Sequence, residues 1–377
     1  MKSALLGEIA QLGSGGTPRR SVAEYFGPGT PWMSIADLND GIVHEAKESL
    51  TDSGLANSSA KVVPPGTILL AMYGSIGKLA IAGISLCTSQ AIAFIRPDPK
   101  KVDREYLFHY LRAQRPQLQA KGRGGTQMNI SQGDLKKWVV PLPPLDEQHR
   151  IAAILDQADG IRHKRRETRA RLEDLAESLF LDLFDEDAAD AVSFDSVVTS
   201  FRNGLSPAKA GTVMSDVLTL SAVTQGIFDP TAVKTSTFMA KPPAAMRVSG
   251  DDFLICRGNG NLNLVGVGVS PGHDYPDLTF PDTVIAASFD AARVDPVYLE
   301  MAWKRPAVRR QVESVARTTN GTYKINQQSL GAVGIVIPPL SEQQEFTRRI
   351  RAIPNPDSAE MDELLQSLES RAFSGQL

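Results

Sequence analysis

The chain has 377 residues, 42% of them apolar and 22% charged, with a formal net charge of −3; at about 150 residues per domain that is more than two domains, with apolar material for sizeable cores. Two cysteines cannot form a disulfide framework or a four-ligand zinc site. No apolar run approaches the roughly 18–20 residues of a membrane span, and Glu8 comes too early for a signal-peptide core, so the expectation is a soluble cytoplasmic protein with no membrane partner.

In chain order, apolar runs bounded by Gly and Pro predict strands at Thr67–Met72 and Ala91–Ile95. A helix is expected around Arg104–Arg115, then a strand at Trp138–Val140 running into Pro143-Pro144. Asp146 stands where an N-cap belongs, and a long helix follows to Phe184. Its length would be about 58 Å. Positions 151, 154, 158, 161, 165, 168, 172, 175 and 179 form a 3-4 heptad series, mostly apolar, which asks for a partner helix. A second mixed segment follows, with a strand at Thr283–Ala287, a helix around Pro296–Ser314 and a strand at Ile335–Ile337. A second helical tract starts at Ser341, where Ser341 and Gln344 form a capping box. It breaks at Pro354-Asn355-Pro356 and resumes through Met361, Leu365 and Leu368.

The chain is written twice. Ile130-Ser131-Gln132 through Pro143-Pro144-Leu145-Asp146-Glu147-Gln148 repeats as Ile325-Asn326-Gln327 through Pro338-Pro339-Leu340-Ser341-Glu342-Gln343. Val102-Asp103 with Tyr106-Leu107 repeats as Val294-Asp295 with Tyr298-Leu299. Two copies are too few for a solenoid. The expected architecture is α+β: a tandem pseudo-twofold duplication of a mixed α/β recognition domain plus a long helix, the two helices pairing as an antiparallel coiled coil. The boundaries are 1–145, 146–185, 186–340 and 341–377. Ile151, Ile154, Ile161, Leu172, Leu175 and Leu179 of the central helix would face Met361, Leu365 and Leu368.

Charge is local. Residues 172–190 hold acids and no base, which leaves the rest of the chain cationic. In each half a helix with basic residues (Arg112, Arg115, Lys121; Lys304, Arg305, Arg309) leads into a Gly/Thr/Asn loop. Arg123, Gln127 and Asn129 in one copy, and Arg317, Asn320, Tyr323 and Lys324 in the other, suit phosphates and base edges. Catalytic constellations are scarce: the five histidines are scattered, there is no Walker A or dinucleotide fingerprint, and no acid or amide precedes Pro-Pro as an amino-methyltransferase needs.

Ser14-Gly15-Gly16-Thr17-Pro18, Pro31-Trp32-Met33-Ser34-Ile35, Gly74-Ser75-Ile76-Gly77-Lys78, the two Pro-Pro-Leu-x-Glu-Gln tracts and the terminal Arg371-Ala372-Phe373-Ser374-Gly375 together resemble the specificity subunits of type I restriction–modification systems. That resemblance implies two recognition domains, each reading half of a split site in double-stranded DNA. It implies docking of two adenine-modification subunits, with a restriction/translocase subunit in some assemblies. It implies no catalysis and no cofactor in this chain; S-adenosylmethionine, ATP and Mg belong to the partners. It adds Thr17, Arg19, Arg20, Ser75, Lys78, Asn203, Arg257 and Asn259 to the candidate DNA contacts. The second copy departs from the pattern, with Asn203-Gly204-Leu205-Ser206-Pro207 in place of the Gly-Gly-Thr-Pro opening, so its half-site should differ. A self-contained DNA-modifying enzyme and a degenerate protein-only scaffold are the competing readings.

Overall fold

Aliphatic runs too short for helices pair as strands, and the same pairing is built twice. The computed structural model describes the chain apart from residues 1, 123–127, 185–190, 209, 320, 354–358 and 375–377. Arg123, Gln127, Asn320 and the Pro354–Pro356 break therefore lie outside the described residues, as do the side chains of Met361 and Leu365. The chain forms two compact units: Met1–Glu167 with Pro356–Leu377, and Thr168–Asn355.

The main sheet of the first unit has the spatial order Ala10–Ser14, Ile92–Pro97, Ile68–Ala71, Leu79–Ala82, Ile42–Val43. Its counterpart in the second unit is Val198–Asn203, Val284–Phe289, Asp252–Cys256, Gly268–Val269. The strands Ile68–Ala71 and Asp252–Cys256 are buried at every position, which is why they read as continuous rather than alternating apolar runs. Each unit adds a four-stranded sheet. One is Glu48–Leu50, Phe26–Met33, Leu86–Thr88, Val62–Val63; the other is Val233–Phe238, Val213–Leu218, Tyr275–Thr279, Arg247–Val248. In both, the central pair is parallel, Trp32 opposite Cys87 and Asp216 opposite Leu278. An antiparallel ribbon completes each unit, Ser3–Leu5 with Val139–Pro141 and Ala191–Ser193 with Gly334–Val336. The architecture is thus a duplicated α+β domain.

Helices α1 (Arg104–Ala113) and α2 (Arg115–Lys121) cover the first main sheet's core; α4 (Pro296–Trp303) and α5 (Pro306–Val315) repeat them. Between them runs α3 (Leu145–Leu183), and the chain ends in α6 (Leu340–Ala352) and α7 (Ala359–Ser374). Neither expected cap is used. Helix α6 begins one residue before Ser341, with Pro339 at its N-cap and no side-chain cap hydrogen bond. In α3 the amides of Glu147 and Gln148 both donate to the Pro144 carbonyl (3.0 Å each). The proline ring fixes φ near −65°, so the second proline already presents a helix-starting carbonyl.

The glutamine of each Pro-Pro-Leu-x-Glu-Gln tract is the structural residue of the motif. Gln148 Oε1 accepts from the Asp103 amide (2.8 Å), and its Nε2 donates to the Pro143 (2.8 Å) and Lys101 (3.3 Å) carbonyls. Gln343 repeats all three contacts, with Asp295 N (2.9 Å), Pro338 O (2.7 Å) and Arg293 O (3.0 Å). Both side chains are buried. The helix start is thereby tied to the N-cap aspartate of α1 or α4, whose carboxylate accepts from the Tyr106 or Tyr298 amide.

The covered stripe of α3 differs from the expected series at alternate positions. Residues 151, 155, 158, 162, 165, 169, 172, 176, 179 and 183 are its less exposed side. Ile151, Leu172 and Leu179 lie on it and Ile154 beside it, whereas Ile161 and Leu175 are 40% and 51% exposed. A 3-4 and a 4-3 series share every seventh residue and differ in which neighbour faces inward. Counting only apolar residues favoured Ile161, but the stripe passes through Arg162, whose guanidinium sits 2.5 Å from Glu369 of α7. Within the first unit Leu368 and Ala372 of α7 pack into the core with Ile151 and Leu155.

Replacing Gln343 with Leu should strand three buried backbone partners and cost about 3 kcal/mol or more. Replacing the exposed Gln344 should cost under about 0.5 kcal/mol. Urea denaturation of the two variants checks the contrast.

Candidate nucleic-acid interface

The main sheet of each unit ends in loops that the backbone holds together in the same way. In the first unit, Gly15–Thr17 leaves the strand Ala10–Ser14, Gln90-Ala91 enters the strand at Ile92, and Tyr73–Lys78 joins Ile68–Ala71 to Leu79–Ala82. The strand register puts all of these at one sheet end, with Ser14 opposite Ala93 and Ala71 opposite Ile92. Tyr73 bridges Asn129 where the chain returns to Ile130, and the Ile130 amide donates to the Met72 carbonyl at 2.9 Å. In the second unit the Ile325 amide donates to the Arg257 carbonyl, also at 2.9 Å. Asn203 and Gly204 leave the strand Val198–Asn203 at that same sheet end, since Asn203 faces Ile285.

The opening loops match despite their sequences. Gly15 N donates to Ile92 O (3.3 Å) and Gly204 N to Val284 O (3.0 Å); Gly16 N donates to Thr88 O and Leu205 N to Phe280 O, both 2.9 Å. A Cβ on Gly15 would lie 1.9 Å from the Thr88 carbonyl oxygen, and one on Gly204 would lie 2.0 Å from that of Pro281. Both turns therefore require glycine at this point. The departure of the second copy from Gly-Gly-Thr-Pro comes down to Leu205 where Gly16 stands. A Cβ on Gly16 would meet Ser59 Oγ at 2.3 Å, a neighbour particular to the first unit.

The sheet ends gather Thr17, Ser75 and Asn129 in the first unit, and Asn203, Arg257, Asn259, Arg317, Tyr323 and Lys324 in the second. Thr17 Oγ1 hydrogen-bonds Gln90 Oε1, so Gln90 joins the group. Tyr73 and Met128, both exposed, flank Asn129. The signal for Tyr73 was an aromatic placed directly after an apolar strand and before a glycine turn. Arg19 is exposed. Lys78 Nζ donates to the Ile35 carbonyl at 3.4 Å.

Arg20 is committed elsewhere. Its guanidinium makes a two-pronged pair with Glu48 (2.7 Å on each prong) and lies over the rings of Phe26 (4.4 Å) and Trp32 (4.8 Å). Hydrogen bonding between them raises the Arg20 pKa and lowers that of Glu48. The basic helix residues are likewise occupied. Arg112 pairs with Asp159 at 2.5 Å. Arg115 pairs with Asp40. Lys121 lies 4.9 Å over the Trp138 ring. Arg305 pairs with Glu177 at 2.9 Å, and Arg309 pairs with Glu313 and donates to the Val265 and Leu262 carbonyls. These cations secure helices rather than lead into a DNA-facing patch.

The Gly/Thr/Asn loop of the second unit is a hairpin. Arg317–Thr319 pairs with Thr322–Lys324, Thr319 opposite Thr322, and Gly321 has φ of 74°.

Burial pushes the thiols of Cys87 and Cys256 up to about 11, so both are neutral and unreactive near pH 7. Among the described residues no group of His, Cys, Asp and Glu could hold a metal ion, and no helix is long and apolar enough to cross a membrane.

Residues 1–173 match the type I restriction modification DNA specificity domain. The specificity subunit of the type I restriction enzyme EcoKI from Escherichia coli K12 is 25% identical over 390 residues, covering 92% of this chain and 82% of its own length. The chain is thus similar to a type I specificity subunit along most of its length. The MjaIX specificity subunit of Methanocaldococcus jannaschii is 29% identical over 182 residues, 47% of this chain and 42% of that one. The type I S subunit of M. genitalium shares the fold, with a TM-score of 0.52 at 15% identity over 99% of this chain and 92% of that one. In each unit the loops described above crowd one end of the main sheet.

Gly204→Ala should cost on the order of 1–3 kcal/mol by overpacking. Gly260→Ala, with no atom within 4 Å of the added carbon, should be close to neutral. Thermal midpoints of the two variants test the requirement.

Proposed function

We propose that this specificity subunit reads a split, asymmetric site in double-stranded DNA, one half with each unit, and docks two adenine-modification subunits, with or without a restriction/translocase subunit. The observation that carries the reading is the repeated sheet-end cluster: the same backbone hydrogen bonds present different side chains in the two units. Equal scaffolds with unequal loops suit two half-sites of different sequence. The chain contributes recognition and scaffolding. S-adenosylmethionine, ATP and Mg are held by the partner subunits.

The division of labour follows from physics. Backbone amides, hydroxyls and cations fix register on the phosphates, while Asn, Gln and Arg at loop tips read base edges. We assign Thr17, Arg19, Ser75, Gln127 and Asn129, with Arg123, to one half-site. Asn203, Arg257, Asn259, Arg317, Asn320 and Lys324 go to the other. We assign α3 and α7 to the spacer that sets the gap, with Ile151 and Leu368 packed together in the first unit. Ile161 and Leu175, exposed on α3, are available to a docked subunit.

Methylome sequencing of the host with and without this chain tests the reading. A split, asymmetric, adenine-methylated motif should vanish on deletion. Exchanging residues 1–145 for another recognition segment should change one half of the motif only; a change in both halves would refute one-unit, one-half reading. Methylation of DNA by the purified chain alone would establish the enzyme reading instead.

A further inference from the structure

The hairpin Arg317–Lys324 carries a feature that costs stability within the chain. Arg317 and Lys324 are directly opposed across its two strands. Opposed residues of an antiparallel pair share a face, with their Cβ atoms roughly 4.5–5.5 Å apart, and like charges placed so are destabilising. Both side chains are exposed, and among the described residues neither forms an ion pair. Arg305 and Arg309, by contrast, are held by carboxylates of the chain itself.

The hairpin's other face is anchored. Tyr323 lies between Thr322 and Lys324, so it points to the opposite side, and its ring packs against the apolar core of the second unit. A third strand, Gly258-Asn259, pairs with Thr322–Lys324 and supports it from the side. Gly258 leaves room there: a Cβ on it would lie 3.3 Å from Lys324 Cγ. The two cations are thus mounted on a ribbon fixed from behind and from one side, at the sheet end where the recognition loops gather. In the first unit the bridge between Tyr73 and Asn129 carries no cation at either bridged position.

We propose that this ribbon is the phosphate grip of the second unit, Arg317 and Lys324 each holding one phosphate of the duplex backbone, with Tyr323 as its anchor and not a DNA contact. The repelling heads diverge, so they take neighbouring phosphates rather than share one. Binding the polyanion removes the repulsion that the free chain tolerates, and the fixed hairpin has little ordering entropy left to lose. Tyr323 moves from the candidate contacts to the supports. The proposal rests on the DNA-recognition reading above and sharpens it: the second unit grips the backbone with a cationic ribbon.

The test uses the full chain and a mixed-sequence 30-base-pair duplex, with fluorescence anisotropy across a salt series, and thermal midpoints measured alongside. The slope of log affinity against log salt should shrink by about 0.9 in Arg317→Ala or Lys324→Gln and by about 1.8 in the double variant. Lys324→Glu is the decisive substitution. It places opposite charges across the ribbon, so the thermal midpoint should hold or rise while affinity falls tens-fold. A midpoint and an affinity that fall together would make the pair structural and overturn the proposal. So would a double variant with the wild-type slope. Wild-type chain that shows no salt-dependent binding to the duplex would instead overturn the DNA-recognition reading itself.

Discussion

A buried glutamine amide holds each half of this protein in register. Gln148 and Gln343 each make three hydrogen bonds to backbone groups, two to a distant segment and one to the proline five residues before. In water such bonds exchange against solvent and gain little; buried, their loss strands several groups at once. The amide fixes where the long helix starts relative to the N-cap of α1 or α4, and those helices cover the sheet that displays the loops. The Pro-Pro-Leu-x-Glu-Gln tract is therefore one mechanical part: proline sets the helix start, glutamate sits in the first turn where negative charge is favoured, and glutamine locks the joint.

Each unit's core is completed by the end of a helix that begins in the other stretch of the chain. In the first unit Phe373 of α7 packs edge-on against Tyr106 (5.7 Å between centroids) and Tyr110 (5.4 Å). In the second, Phe184, at the end of α3, packs against Tyr298 at 4.9 Å and Phe180 stacks on it at 5.4 Å. The tyrosines occupy matching places, each donating its hydroxyl to the carbonyl of the strand before the long helix, Pro141 or Val336. Helix α3 starts in the first unit and ends in the second; the tract α6–α7 starts in the second and ends in the first. This gives the terminal Ala372-Phe373 a physical role: they fill a core far away in sequence.

Charge in this chain is distributed by function rather than by total. A net of −3 coexists with an uncompensated cation pair because acids are concentrated on α3 and beyond, and because most arginines are bound to carboxylates or backbone carbonyls. Arg20 shows the distinction. By type and neighbourhood it resembles a DNA contact, yet Glu48 and two aromatic rings already satisfy it. Arg317 and Lys324 have the same chemistry and no such partners among the described residues. What separates a structural arginine from a recognition arginine is the occupancy of its donors, which spacing does not encode.

The duplication, the strands Ile68–Ala71, Ile92–Pro97 and Val284–Phe289, the long helix and the likeness to type I specificity subunits were legible in the sequence, because each rests on local pattern. Apolar runs make buried strands, a repeated motif makes a repeated joint, and an uninterrupted polar-apolar tract makes a helix. Three things were decided only by tertiary structure. The stripe of α3 turned on which of two adjacent residues faces inward, and that depended on Glu369 arriving from α7 to meet Arg162. The helix starts fell on proline carbonyls rather than on Asp146 and Ser341, because the glutamine clamp holds the first turn there. The facing of the hairpin's side chains followed from strand register, which turns Tyr323 inward and Arg317 and Lys324 outward. Register is a property of the pairing and not of either strand alone, so no reading of one segment could supply it.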